Sequence, residues 1–252
     1  MSENNTHRQE FILRFSECDR HGRMKLKTFF DYAQETAGVH ADKLGVGATA
    51  LRDKKEAWFL SRMRVAFKAY PVIGETVSVM TYPSGFERLF ARREFQFSTE
   101  RLGVFAAATS NWLLMDTAAM RILPSAVLLK ELMPDNSALP ITFASLGKLP
   151  AASAEAKCRT HHVTATQIDI NGHLNNTEYA SILQDTLGIG VYPAEFQLNY
   201  QKGVPPESDI QISGQRDASG EFVFTGRVDD NVVFEAAGNI LNIEEGENVY
   251  GL

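Results

Sequence analysis

Asp169-Ile-Asn-Gly-His-Leu-Asn-Asn-Thr-Glu-Tyr179 has a weakened copy upstream, Asp19-Arg-His-Gly-Arg-Met24. A shift of 150 residues sets Asp169 on Asp19, Gly172 on Gly22 and Leu174 on Met24. In each copy a turn that needs glycine's backbone freedom leads into a run with helical apolar spacing. Those runs are Leu26, Phe29, Phe30, Ala33, Ala37 and Leu44 in the first copy, and Tyr179, Ile182, Leu183 and Leu187 in the second. The first predicts a helix of some five turns.

The correspondence continues past the helices. Val65-Ala-Phe-Lys68 parallels Leu198-Asn-Tyr-Gln201 at an offset of 133, and Phe105-Ala-Ala-Ala-Thr109 parallels Phe234-Glu-Ala-Ala-Gly238 at 129. The second copy has therefore lost residues between its helix and its next strand, where the first carries Val39 to Lys55. Extended runs rich in aromatic and β-branched residues follow each helix. In the first half they are Val65 to Phe67, Thr76 to Tyr82, Arg92 to Ser98 and Val104 to Leu114. In the second they are Phe196 to Tyr200, Ile210 to Ser213, Phe222 to Val228 and Val232 to Ile243. Phe11 to Phe15 and His161 to Ala165 read as a strand before each motif.

One helix among many antiparallel strands, twice over, is an α+β pattern in which each sheet wraps a helix and both bury their apolar faces. The expected organisation is a first half over residues 1–125, a linker over 126–156 and a second half over 157–252 carrying the motif. The linker reading rests on Pro124, Pro134, Pro140 and Pro150 and on Ala151-Ala-Ser-Ala-Glu-Ala156.

Composition narrows the function classes. A formal charge of −6 gives no electrostatic footprint for nucleic acid. No stretch approaches the ~18 apolar residues of a membrane span, and the N-terminus lacks a signal peptide's apolar segment, so a cytoplasmic protein is expected. Cys18 and Cys158 are too few for a disulfide framework and fit a reducing compartment. There is no GxSxG elbow, P-loop, HExxH or CxxC pair. The neighbours His161 and His162 point to opposite faces if their segment is a strand, which argues against a shared metal.

The motif itself can carry acyl-transfer chemistry. Asp169, Asn171 and His173 alternate around Gly172, just ahead of a helix whose N-terminus offers backbone N–H groups to a developing oxyanion. Asn176 reads as the N-cap, with Glu178 in the first turn. An imidazole can move a proton near neutral pH. Asp169 could orient a water, attack the carbonyl or hold the others in place; Asn171 can donate and accept at once. A turn that needed only capping would explain the Asx residues equally well, but the upstream copy keeps Asp19 and Gly22 while replacing Asn171 and His173 by His21 and Arg23.

These residues resemble the acyl-ACP thioesterases of bacteria and plants. The likeness covers nearly the whole chain: the second-half motif is joined by Cys18-Asp-Arg-His-Gly-Arg, Tyr32-Ala-Gln-Glu-Thr-Ala37, His40-Ala-Asp-Lys-Leu-Gly45, Trp58-Phe-Leu-Ser-Arg62, and Thr81-Tyr-Pro-Ser-Gly85 followed by Arg92-Arg-Glu-Phe95. The resemblance implies a tandem (double) hotdog and hydrolysis of fatty acyl-ACP thioesters to free acid in fatty acid biosynthesis. It implies no cofactor and no metal, with Asp169, Asn171 and His173 as the catalytic residues and the first half shaping the acyl tunnel. It leaves acyl-CoA hydrolysis, or a non-catalytic fatty-acyl or ACP-binding relative, as alternatives. Pairing two copies in one chain leaves a homodimer possible but not required.

The family places a Glu shortly after the strand that follows the motif helix, where this chain has Gly203 and Val204. The expectation is that Gly203→Glu raises turnover; Glu207, beyond Pro205-Pro206, is the nearest substitute. An acidic carrier protein would need a basic patch, for which Arg62, Arg64 and Lys68, or Arg88, Arg92 and Arg93, are the candidates.

Overall fold

The computed structural model describes residues 5–152 and 156–242. The first half runs β1 (His7–Ile12), α1 (Leu26–Lys43), α2 (Ala48–Arg52), β2 (Glu56–Phe67), β3 (Thr76–Glu87), β4 (Phe90–Thr99), β5 (Gly103–Asp116) and β6 (Arg121–Leu123). After α3 (Ser125–Leu129) come β7 (Lys157–His162), α4 (Glu178–Leu187), β8 (Tyr192–Tyr200), β9 (Asp209–Arg216), β10 (Glu221–Val228) and β11 (Asn231–Leu241).

The strands join in the order β1-β3-β4-β5-β2-β8-β11-β10-β9-β7, with β6 added beside β5. Either half read outward from the centre has the same order, so the two half-sheets fuse edge to edge through β2 and β8. The register there follows the repeat. Arg64 pairs with Gln197, Met63 with Leu198 and Val65 with Phe196. An offset of 133 makes Gln197 the counterpart of Arg64, so a local two-fold axis passes through that pair and exchanges its neighbours. Pairing the two inner strands also removes two exposed sheet edges.

Each helix lies on the concave side of its half-sheet. Leu26, Phe29, Phe30, Ala33 and Ala37 are buried on α1, and Tyr179, Ala180, Ile182, Leu183 and Leu187 on α4. Leu44 falls just past α1 and packs into a smaller cluster with Val46, Leu51, Leu114 and Leu129. The main core is continuous across the halves: Phe29 stacks on Phe97 at 4.0 Å, and Phe67 and Phe196 lie parallel at 6.4 Å across the junction. At ten residues, α4 is shorter than the eighteen-residue α1. Residues 39–55, identified as extra in the first copy, supply the end of α1, a loop and α2.

Two expected strands shift by several residues, for one reason. Both β1 and β7 begin earlier and stop at Ile12 and His162, because the next residues close a 3-10 turn. The backbone N–H of Arg14 donates to Glu17 Oε2 at 2.7 Å, and that of Thr164 to Gln167 Oε1 at 3.1 Å. These are the reaching-back halves of a capping box, whose sequence pattern Thr164-Ala-Thr-Gln167 carries and Arg14-Phe-Ser-Glu17 does not. Phe15, which drew the first strand too far, is 85% exposed. The end of the last expected strand, Ile243, lies outside the described residues.

Between α3 and β7, residues 140–147 lie as a belt across the face of the sheet away from α1. Its backbone groups are satisfied by buried polar side chains: Arg92 donates to the carbonyls of Phe143 at 2.5 Å and Ala144 at 2.7 Å, and Gln197 to that of Gly147 at 2.8 Å. Glu94 accepts from the Thr142 N–H at 3.0 Å. The proline-rich stretch therefore crosses between halves as a hydrogen-bonded strap, because buried backbone polar groups must find partners.

Candidate active site

The motif turn and its copy share a backbone scaffold. Gly172 and Gly22 sit at φ +78° and +73°, where a side chain is strained. Asp169 N–H donates to His173 O at 2.8 Å as Asp19 N–H does to Arg23 O at 2.8 Å, and Leu174 N–H reaches Val204 O as Met24 N–H reaches Pro71 O. In both turns the Asp carboxylate accepts from the backbone N–H two residues on, Asn171 or His21, at 2.8 Å.

What differs is what lies over the carboxylate. In the first half Tyr192 donates its hydroxyl to Asp19 at 2.6 Å, and the Arg23 guanidinium lies 5.5 Å from the Tyr192 ring. Burial, with the Asp19 charge beside it, keeps that phenol protonated. Buried Tyr70 packs against Tyr192 at 5.0 Å and fills the remaining space. The offset of 133 equates Tyr70 with Gly203 and Tyr192 with Phe59. The second half thus has a glycine where the first has a ring, and its turn stays open.

Two recesses meet at that open turn. One is a cavity of about 720 Å³ running into the first half beneath α1 and α2, within the usual range for a small-molecule site. The other, of about 290 Å³, is lined by His173, Gly203, Lys202, Phe59 and Tyr200. Both are lined by Asp169, Asn171, Asn176 and Trp58. Asp169 is bonded to Asn171 twice, the second time from Nδ2 to Oδ2 at 3.3 Å, which leaves the Asn171 carboxamide oxygen to accept from a third group. His173 faces the smaller recess against Gly203, with no side-chain hydrogen bond to Asp169 or Asn171 among the described residues. Sequence reasoning thus finds three residues of one turn; the structure brings two together directly and sets the third across the same opening.

Asn176 is not the N-cap. Thr177 holds that position, and Asn175 Oδ1 accepts its N–H at 3.1 Å. The amides of Leu174, Asn175, Thr177 and Glu178 all find acceptors, at Val204, Gln167 and Asn175. Within 174–178 the Asn176 N–H alone takes none among the described residues, and Asn176 lines both recesses at the start of α4. The sequence signal for this was the doubled Asn, read one residue out of place.

Other expectations change. Glu207 lies 3.5 Å from His162, is exposed, and lines neither recess, so it does not replace the missing acid. The basic candidates are largely occupied: Arg92 and Arg93 are buried, Arg62 bonds to the belt at the Leu146 carbonyl, and Arg64 pairs with Glu195 beneath Phe143. His161 and His162 engage separate partners, Gln167 and Asp209. Among the described residues no cluster of His, Cys, Asp and Glu could hold a metal, and no helix is long and apolar enough to cross a membrane.

Residues 4–128 match the acyl-ACP thioesterase N-terminal domain and residues 151–239 the C-terminal domain of the same family. The chain belongs to the acyl-ACP thioesterase family. A palmitoyl-acyl carrier protein thioesterase, chloroplastic, of Gossypium hirsutum is 29% identical over 183 residues, 68% of this chain and 44% of its own length. A chloroplastic acyl-(acyl-carrier-protein) hydrolase of Cuphea viscosissima is 26% identical over 231 residues, 85% of this chain and 56% of its own. The chain thus spans about half the length of the curated relatives it matches. Among solved structures, an acyl-ACP thioesterase from Bacteroides thetaiotaomicron superposes with a TM-score of 0.84 at 21% identity, covering 96% of this chain and 100% of that one. The 12:0-ACP thioesterase from Umbellularia californica gives 0.80 at 19%, covering 94% and 97%. At these identities the likeness establishes the acyl-ACP thioesterase fold, the double hotdog that the resemblance implied.

Proposed function

We propose that this chain hydrolyses fatty acyl-ACP thioesters to free acid and holo-ACP in a cytoplasmic setting. The observation that carries the reading is the meeting of two recesses of unequal size at Asp169, Asn171 and Asn176. The acyl chain occupies the large cavity of the first half, and the phosphopantetheine arm of the carrier enters through the smaller recess. The thioester carbonyl then lies at the shared wall.

In this reading Asp169 fixes Asn171, whose carboxamide oxygen holds the attacking water, and His173 takes the water's proton. The carbonyl oxygen, negative after attack, accepts from the Asn176 N–H at the positive end of α4. Collapse expels the thiolate, which recovers the proton from His173. The proposed division of labour assigns acyl binding to residues 1–125, catalysis to 157–252, and a connecting role to 126–156.

The test is release of free thiol from acyl-ACPs of several chain lengths. Loss of a positioned base or water-holding amide is expected to cost roughly 10² to 10⁴ in kcat for His173→Ala and Asn171→Ala. Turnover unaffected by both sinks the assignment. Equal or better kcat/KM on acyl-CoA of the same chain would move the substrate class to CoA thioesters, and stoichiometric acyl binding without turnover would leave a non-catalytic relative.

A further inference from the structure

The smaller recess is bounded by a length of strand that has a neighbour on one side only. β2 pairs with β5 along Glu56–Phe67 but with β8 only over residues 62–66. Residues 56–61 therefore present a free edge, and among the described residues no other segment bonds to that edge through its backbone. Residues 58–61 of it line the recess together with His173 and Asn176. An extended ligand that carries amides can add to such an edge as a further strand does, through main-chain hydrogen bonds.

Acidic and basic side chains on the recess are confined to Asp169, His173 and Lys202. Lys202 is exposed and precedes the glycine that packs on the imidazole. Among the described residues no carboxylate lies within ion-pair distance of its ammonium. The acid on the adjoining strand, Glu235, is bonded instead to Gln201 Nε2 at 3.0 Å. The backbone N–H groups of Gln201 and Lys202 both donate to Val233 O, at 2.9 and 3.5 Å, which fixes where the lysine leaves the main chain. The offset of 133 makes Ala69 the counterpart of Lys202, next to the Tyr70 that fills the closed turn. At this position the half with the open turn has a cation and the half with the closed turn a methyl group.

We propose that the Lys202 ammonium binds the phosphate of a phosphopantetheine arm whose two amides lie along the free edge of β2. The order of chemistry along the recess is the order along the arm: the thioester at the motif turn, then two amides, then a dimethyl-bearing carbon, then the phosphate. Phe59 and Ile122, 36% and 44% exposed on the same recess, give the dimethyl group an apolar surface. A lysine suits a phosphate as a point charge that needs no fixed geometry. The proposal rests on the reading that the smaller recess admits the arm, and it names the groups that hold the arm there. Carrier-protein and CoA thioesters share this phosphate, so Lys202 serves either.

The experiment uses the full chain and one acyl group joined to pantetheine, phosphopantetheine, CoA and ACP. The wild type should show kcat/KM about three- to tenfold higher on acyl-phosphopantetheine than on acyl-pantetheine, with the ratio shrinking in high salt. The difference should lie in KM, because a phosphate remote from the carbonyl is held equally before and during reaction. Lys202→Ala should bring the ratio to one and leave acyl-pantetheine unchanged, and Lys202→Arg should keep most of it. Replacing either amide N–H of acyl-pantetheine by CH₂ should raise KM several-fold. Equal wild-type kcat/KM with and without the phosphate overturns the proposal, as does full activity of both amide replacements. So does a fall in Lys202→Ala on ACP alone, which would make the lysine a contact for the carrier's surface. An equal fall on all four substrates also overturns it and makes Lys202 a support for Gly203 and His173. Calorimetry with phosphopantetheine and pantetheine themselves separates this site from the reaction. Phosphate-dependent binding without hydrolysis would remove the thioesterase reading and leave this one standing; hydrolysis without phosphate preference does the reverse; neither removes both.

Discussion

Gly203 lies so close to His173 that a Cβ at position 203 would stand 2.8 Å from the imidazole Cδ2 and 2.9 Å from Cγ. Real contacts to Cβ do not come that near, and Cγ is not a free end that can swing aside. The glycine is therefore a condition of where the ring sits.

This reverses the expectation that restoring the family's acid raises turnover. Gly203→Glu, and Gly203→Ala as the smaller probe, should displace the imidazole and lower kcat on acyl-ACP by about tenfold or more, since misplacement of a reacting group by an ångström can cost ~100-fold. A rise in kcat for Gly203→Glu would show that the ring moves without loss and that an acid is what the site lacks.

The closed first-half turn depends on the Tyr192 hydroxyl at Asp19. Tyr192→Phe keeps the packing and removes a bond to a charged group, which predicts a loss of about 1.5–3 kcal/mol in urea unfolding with kcat unchanged. A matching fall in kcat would mean that the first-half turn participates in turnover.

The belt is held chiefly through Glu94, 1% exposed, which accepts from Thr109 at 2.7 Å, Ser84 at 3.0 Å and the Thr142 N–H. Glu94→Ala strands these donors and Arg92, so unfolding free energy should drop by about 3 kcal/mol or more. Limited proteolysis should then cut within 135–150 before the sheet unfolds. Unchanged proteolysis would show that the belt is held elsewhere.

Acid should loosen the loop that backs the first-half turn. Burial alone would raise the Glu75 carboxyl, but bonds from Arg101, the Val72 N–H and Thr99 outweigh it and hold the group below the ordinary carboxylate range. Because its folded value is depressed, its contribution is present above the unfolded value and is lost as pH falls through the folded one. Relative to Glu75→Gln, the wild type should therefore be more stable near neutrality, with the difference vanishing as pH drops below the ordinary carboxylate range. A constant difference across that range would assign the effect to packing.

Much of this was legible in the sequence. Two glycine turns 150 residues apart, each ahead of an amphipathic run, determined the duplication, the two helices and most strands, because apolar period and turn chemistry are local properties of the chain. Asp169, Asn171 and His173 were visible for the same reason: all three belong to one turn. The parallel between Val65 and Leu198 fits any two-fold antiparallel register, so that Met63 faces Leu198 was decided by how β2 packs on β8.

What the tertiary structure decided involves partners far apart in the chain. Sequence shows Gly203 as a departure; only folding places it on the His173 ring and opposite the space that Tyr70 fills in the other half. Arg92 and Arg93 look like one basic pair until the pleat sends the first to the belt carbonyls and the second to His40 of α1. Spacing determined which turn could carry chemistry. Which turn is open, and which arginine faces α1, followed from long-range packing, where whether a carboxylate or a ring has solvent, a tyrosine or empty space beside it depends on strands more than a hundred residues away.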